Sequence, residues 1–289
     1  MRSEQEMMAL ILKVATENNL VRAVCIEGSR ANKNVPKDIF QDYDISYIVT
    51  DIEPFLKDDA WLDVFGERII MQKPEAMSLF PPELGGRFTY LMLFTDGNRI
   101  DLMLVPLQNL EMHLQSSALL TVLYDKDGIV KPLPAPTDKD YHVKKPTAQL
   151  FDDCCNAFWW VSTYVVKGLC RKELLYAAEH LNAHLRPMLL QMMAWQVGFE
   201  TDFSLSVGKS YKYLNAYIPL DVWRRLLTTY HTGSAEEIWQ ALLQCYSLFR
   251  EYAEQVAENL QLQENETNYL QYDKNVTAYV KDLYEKYMP

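Results

Sequence analysis

No stretch of this sequence is long and apolar enough to span a bilayer, and none of its five cysteines forms a CxxC pair. Internal repeats and low-complexity tracts are also missing. The first absence argues against a membrane span. The second removes the usual zinc-ribbon and dithiol signatures and leaves five scattered thiols, which read as free cysteines of a reducing cytoplasm. Basic surplus is lacking too: 28 Lys and Arg face 39 Asp and Glu, a net charge of −11. A chain that grips a nucleic-acid backbone presents a basic footprint. This one favours cationic partners, weakly and at long range, although acidity also serves solubility alone.

What is present suits one large domain or two ordinary ones. The 289 residues are 49% hydrophobic and 23% charged, enough for a core inside a polar surface. The opening "MRSEQEMMALILKVATENN" is acidic early and carries Lys13 within its apolar part, so it reads as an amphipathic helix and not as a signal peptide. Met7, Met8, Ile11, Leu12 and Ala15 share its apolar face.

"LVRAVCIEGS" reads as a strand ending in a Gly-Ser turn, and "DYDISYIVT" as a second strand. "EPFLKDDAWLDVFG" predicts a helix with Pro54 in its first turn, and "RIIMQ" a short strand. "RFTYLMLFTDGNRIDLMLVPL" predicts a hairpin turning at "DGN". "KPLPAPTDKDYHVKKP" has linker composition, and from about residue 148 the period is helical nearly to the end. The chain is therefore expected to be α+β: a mixed sheet with flanking helices over 1–136, a linker over 137–147 and an all-helical part over 148–289.

Side chains alternate across a strand, so Asp42, Asp44 and Ser46 share one face while Tyr43, Ile45 and Tyr47 point to packing. Two carboxylates side by side repel unless a proton or cation lies between them. A hard divalent ion such as Mg²⁺ answers that requirement and keeps waters for a phosphate. Taken alone, the pair also fits acidic strand-end residues facing water. Asp101, set among Ile100, Leu102, Met103, Leu104 and Val105, needs a compensating partner if buried. A cation shared with a neighbouring strand would be one. Gly28 and Ser29 close the preceding strand, where backbone N–H groups and a hydroxyl can approach an anion.

The order Gly-Ser, short connection, Asp-x-Asp, later Asp resembles the nucleotidyltransferase superfamily signature. "CIEGSRAN", "DYDISYIV", "RIDLMLVP", "NAFWWVSTYVVKGLCRKELLYA" and "VGKSYKYL" resemble the bacterial aminoglycoside 6-adenylyltransferases that modify streptomycin. The resemblance implies a nucleotidyltransferase-type sheet followed by a helical substrate- and nucleotide-binding domain. It also implies Mg²⁺-dependent transfer of AMP from ATP to a hydroxyl of a cationic aminoglycoside. Gly28, Ser29 and Arg30 would meet the nucleotide, Asp42, Asp44 and Asp101 the metal, and Asp101 would also serve as base. Lys167 and Arg171, four apart on one helical face, and Lys209 would bind phosphates; Glu173 and Glu179 would meet guanidinium groups. Related enzymes can place a glutamate base one turn before that lysine, but here the position is Thr163, which favours Asp101. The rival readings are another acceptor, or an antitoxin-like interaction module on the same fold. No nucleic acid or membrane is expected as a partner.

Two features read as ordinary structure. His180 and His184 share a helical face without the glutamate of HExxH or an obvious third ligand. "FWWVSTYVV" reads as packing, not as a base-stacking platform.

Overall fold

Alternation of apolar and polar residues over the first 125 positions produces a sheet backed by one long helix. The computed structural model describes residues 1–262 and 267–287, and the chain divides between Asp140 and Tyr141 into two compact units. In the first, α1 (Glu4–Glu17) starts at a capping box: the Ser3 hydroxyl accepts from the Glu6 amide, and the Glu6 carboxylate accepts from the Ser3 amide. Met7, Ile11 and Ala15 form its buried stripe. Then come β1 (Val21–Glu27), β2 (Tyr43–Val49), α2 (Glu53–Lys57), β3 (Arg68–Gln72), β4 (Phe88–Phe94), β5 (Arg99–Pro106), α3 (Leu110–Leu114) and β6 (Leu120–Asp125).

The six strands form one mixed sheet in the order β3-β4-β5-β2-β1-β6. Only β2 and β5 run parallel. One face of these two strands, Tyr43, Ile45 and Tyr47 with Ile100, Leu102 and Leu104, is buried in a core shared with α1. There the Tyr47 hydroxyl donates to Ile11 O at 2.6 Å, so the buried phenol is satisfied.

The expected hairpin is β4–β5, with Gly97 at φ +84° in its turn and the Asp96 carboxylate accepting from the Asn98 amide. The helix expected over "EPFLKDDAWLDVFG" is split. Asp58 is extended and its carboxylate accepts from the Ala60 amide, which restarts the chain as a 3₁₀ stretch over Asp59–Phe65. Two elements were not anticipated from the pattern: the edge strand β6, paired antiparallel to β1, and the short α3.

The second unit is helical: α4 (Ala148–Cys170), α5 (Leu174–Glu179), α6 (Arg186–Glu200), α7 (Leu220–Thr228), α8 (Ala235–Leu260) and α9 (Tyr269–Tyr287). Thr147 and Ser234 cap α4 and α8 through their side-chain oxygens. A π-helical turn, His180–Leu185, joins α5 to α6. Pro187 follows it and offers no N–H to the preceding turn, which accounts for the widened helix there. Phe158 stacks on Phe249 at 3.7 Å and Trp159 packs beside them, whereas Trp160 is mostly exposed. Among the described residues no helix is long and apolar enough to cross a membrane, and the cysteines are free.

Candidate active site

The carboxylates predicted on one face are brought together by strand register. Across the parallel β2–β5 pair, Asp44 lies opposite Asp101; across the antiparallel β1–β2 pair, Glu27 lies opposite Asp44. Three adjacent strands thus present Glu27, Asp44 and Asp101 in a row, with Asp42 one step along at the entry to β2. Like charges this close oppose one another's ionisation. Burial, then Asp101, Asp42 and Glu27, push Asp44 up to about 6, with Arg99 pulling the other way. Asp42 is also raised, by burial first and then against the pull of Arg99.

Gly28 forms the wall of this row. Its φ is +67°, and a Cβ there would overlap Asp44 Oδ2. Glycine is therefore required twice, by conformation and by close approach. The turn Gly28–Arg30 holds Ser29 at the end of β1, and the Gly28 amide donates to Leu119 O at 3.2 Å.

Arg30 is turned into the protein. Its guanidinium donates to Asp42 O at 3.0 Å and Gln41 O at 2.8 Å, stacks 3.7 Å above the Tyr43 ring, and pairs with Glu4 at 3.4 Å. These contacts tie the loop before Asp42 to the turn after Gly28. The geometry makes Arg30 a clamp on the carboxylate strand.

Glu27 was not among the residues singled out in the sequence. The Ser46 hydroxyl donates to its Oε1 at 2.7 Å, and Nε2 of the buried His113 on α3 lies 3.1 Å from the same oxygen, at ion-pair distance but poorly directed for a hydrogen bond. Burial opposes the charge on Glu27, yet His113 and Ser46 outweigh it and hold the carboxyl below its ordinary range. "AVCIEGS" carried the signal, a carboxylate ending an apolar run, which is the logic that found Asp101.

Arg99 was missed as well. It opens β5, two residues before Asp101 and on the same face. Nε donates to Asp101 Oδ1 and Nη2 to Asp101 Oδ2, both at 2.7 Å, while Nη1 lies 3.6 Å from Asp42 Oδ2. The compensating partner of Asp101 in this structure is therefore an arginine. Asp42 and Asp44, oxygen donors beside the Gly28 cradle, fit a small hard cation in type. Among the described residues no three His, Cys, Asp or Glu side chains gather around one point. Drawing Asp101 into a shared cation site requires Arg99 to release it.

The other predicted residues lie in the helical unit. Lys167, in the last turn of α4, is half-buried with Nζ 5.9 Å from the Tyr279 ring. Arg171 and Glu173 are exposed and 4.0 Å apart, and Glu179 at the end of α5 is exposed. Lys209 is exposed after Gly208, at the start of a 3₁₀ turn. Thr163 donates to Trp160 O at 2.8 Å within its own helix. The His180 ring lies tilted against Tyr176, 4.1 Å between centroids, and 5.4 Å from His184, with no third ligand among the described residues.

A streptomycin adenylyltransferase family model matches residues 1–283. The chain belongs to that family. It is 49% identical over 285 residues to an aminoglycoside 6-adenylyltransferase of Bacillus subtilis (strain 168), covering 98% of this chain and 99% of the relative. It is 48% identical over 288 residues to one of Campylobacter jejuni, covering 99% and 98%. A crystal structure of an aminoglycoside 6-adenyltransferase from Bacillus subtilis is 45% identical over 98% of this chain and 99% of that one, with a TM-score of 0.48.

Proposed function

We propose that this protein transfers AMP from ATP to a hydroxyl, the 6-position, of streptomycin or a similar cationic aminoglycoside, releasing pyrophosphate and conferring resistance to the drug. The observation that carries the reading is the register of β2 and β5, which sets Asp44 against Asp101 beside the Gly28 turn. Membership of the family supports the same reaction.

Asp42 and Asp44 are the residues to hold Mg²⁺, with Asp101 joining them once free of Arg99. Bound there, Mg²⁺ would supply charge neutralisation on the phosphates and help to align the attacking and leaving oxygens. The chain's own groups do the rest. Gly28 leaves room for phosphate at the turn, and Ser29 offers a hydroxyl and an amide to it. Asp101 takes the proton of the acceptor hydroxyl. The hydroxyl oxygen bonds to the α-phosphorus, the bond to the bridging oxygen breaks, and pyrophosphate leaves. Lys167, Arg171 and Lys209 are the proposed phosphate-binding cations of the helical unit. Glu173 and Glu179 are proposed to pair with guanidinium groups of the acceptor.

The test is pyrophosphate release on mixing the protein with ATP, Mg²⁺ and streptomycin, with a product heavier by one adenylyl group. Release without streptomycin modification assigns another acceptor. No release with any aminoglycoside overturns the reading and leaves an interaction module.

A further inference from the structure

Five arginines bind carboxylates in the first unit, and Arg2, Arg30 and Arg99 do so in ways that differ. Arg2 reaches Asp96 and also donates to Phe65 O, and Arg30 holds two backbone carbonyls and the Tyr43 ring. Both stitch distant pieces of chain together. Arg99 does neither: its hydrogen bonds and ion pairs go to Asp101 and Asp42, carboxylates of the site itself. Its side chain is 42% exposed and open to solvent, whereas the Asp101 side chain beneath is 19% exposed. A forked pair of 2.7 Å bonds makes the contact geometrically specific.

We propose that Arg99 is a resident counter-cation of the catalytic carboxylates, a positioning residue that holds Asp101 until a divalent cation and nucleotide displace it. The proposal rests on the adenylyl-transfer reading above and adds its order of events. Asp42, Asp44, Asp101 and Glu27 place four carboxyl groups on one patch of sheet. Without a cation, their mutual repulsion is relieved most directly by the guanidinium that lies on two of them. An arriving cation must compete with that guanidinium for the same oxygens. The freed side chain, exposed and already at the mouth of the row, then faces phosphate oxygens, the other anion to which a guanidinium fork is matched. One residue thereby keeps Asp101 paired in the empty site and returns its charge to the nucleotide.

The exchange is tested by direct cation binding. Mn²⁺, the paramagnetic stand-in for Mg²⁺, is titrated into the full chain without nucleotide, and free Mn²⁺ is read by electron paramagnetic resonance. Arg99→Gln, which removes the competing charge, should bind Mn²⁺ about tenfold more tightly than wild type, with Arg99→Lys between them. In the presence of Mg²⁺, Arg99→Gln should raise the KM for ATP, because the phosphate partner is gone. Unchanged or weaker Mn²⁺ binding in folded Arg99→Gln, checked by circular dichroism, overturns the proposal. Should that variant fail to fold, Arg99→Lys binding Mn²⁺ no more tightly than wild type overturns it equally. The two readings fail separately. Turnover with unaltered Mn²⁺ affinity sinks the counter-cation and leaves adenylyl transfer standing. Tightened Mn²⁺ binding without turnover on any acceptor does the reverse.

Discussion

Strands β2 and β5 carry two opposite chemistries on alternate residues. Tyr43, Ile45, Tyr47, Ile100, Leu102 and Leu104 are buried against α1, and their burial stabilises the fold. One residue over, Asp42, Asp44 and Asp101 crowd negative charge onto the other face, where burial and mutual repulsion raise Asp44 and Asp42. The apolar face thus sustains a polar face that is unfavourable to the metal-free protein. Stability and activity should therefore respond oppositely to mutations a single residue apart.

The largest effect expected is on the polar face. Asp44→Asn should lower kcat/KM by about 10³-fold or more, the order of a lost charge-stabilising group in a transition state. It should also leave the metal-free protein at least as stable as wild type, since one repelling charge is removed. Steady-state pyrophosphate release and a thermal melt in EDTA check both halves. Near-normal turnover, or a clear drop in melting temperature, would break the comparison.

The opposite face should give the opposite result. Leu102 is fully buried between Asp101 and Met103 on β5. Leu102→Ala should cost about 2–4 kcal/mol of unfolding free energy in urea while the folded fraction keeps most of its kcat. A large fall in kcat at full folding would show that the faces are not independent.

Much of this was legible before the structure. The strands β1 to β5 followed from alternation, and Asp42, Asp44 and Asp101 from carboxylates breaking apolar runs. What escaped depended on partners distant in sequence. β6 is a short edge strand whose partner β1 lies at the other end of the unit, so neither periodicity nor a turn linked them. Glu27 acquires its place only when β1 is laid beside β2; Arg99 has Asp101 two residues along its own strand, but its second carboxylate, Asp42, comes near only when β5 is laid beside β2. Arg30 matched a signature adjoining Gly-Ser, and nothing local in "GSRAN" reveals that its guanidinium turns inward to Tyr43. The helical unit was legible as helices, but the identity of a phosphate-binding lysine is a property of what it faces and not of its period.

A smaller change sharpens the link between turn and row. Gly28→Ala puts a Cβ where Asp44 Oδ2 sits and asks alanine to hold φ +67°. The conformational penalty is roughly 1 kcal/mol. Displacement of the carboxylate should lower kcat by at least about tenfold, since misplacing a reacting group by an ångström costs more than that. Kinetics and urea unfolding on the same preparation separate the two. Wild-type kcat would remove the Gly28 cradle from the site.

The smallest effect is a slope in the stability of the metal-free protein with pH. Asp44 is raised to about 6 in the folded chain by burial first and by Asp101, Asp42 and Glu27 after it. An unfolded aspartate titrates near 3.9. Between these values the folded state binds more protons than the unfolded one, so stability must fall as pH rises. The contribution of Asp44 is fully present below about 4 and is lost as pH passes through about 6. Glu27 runs the other way, because its folded pKa is lowered, and its stabilisation is lost as pH falls below the ordinary glutamate range. Subtracting the Asp44→Asn curve from wild type isolates the first term. The difference, wild type minus variant, should fall as pH rises from 4 to 7, with a swing on the order of 1–3 kcal/mol. Melting temperatures in EDTA at half-unit pH steps measure it. A flat difference curve would mean that Asp44 feels neither its burial nor its neighbours, and the polar face would then cost the fold nothing.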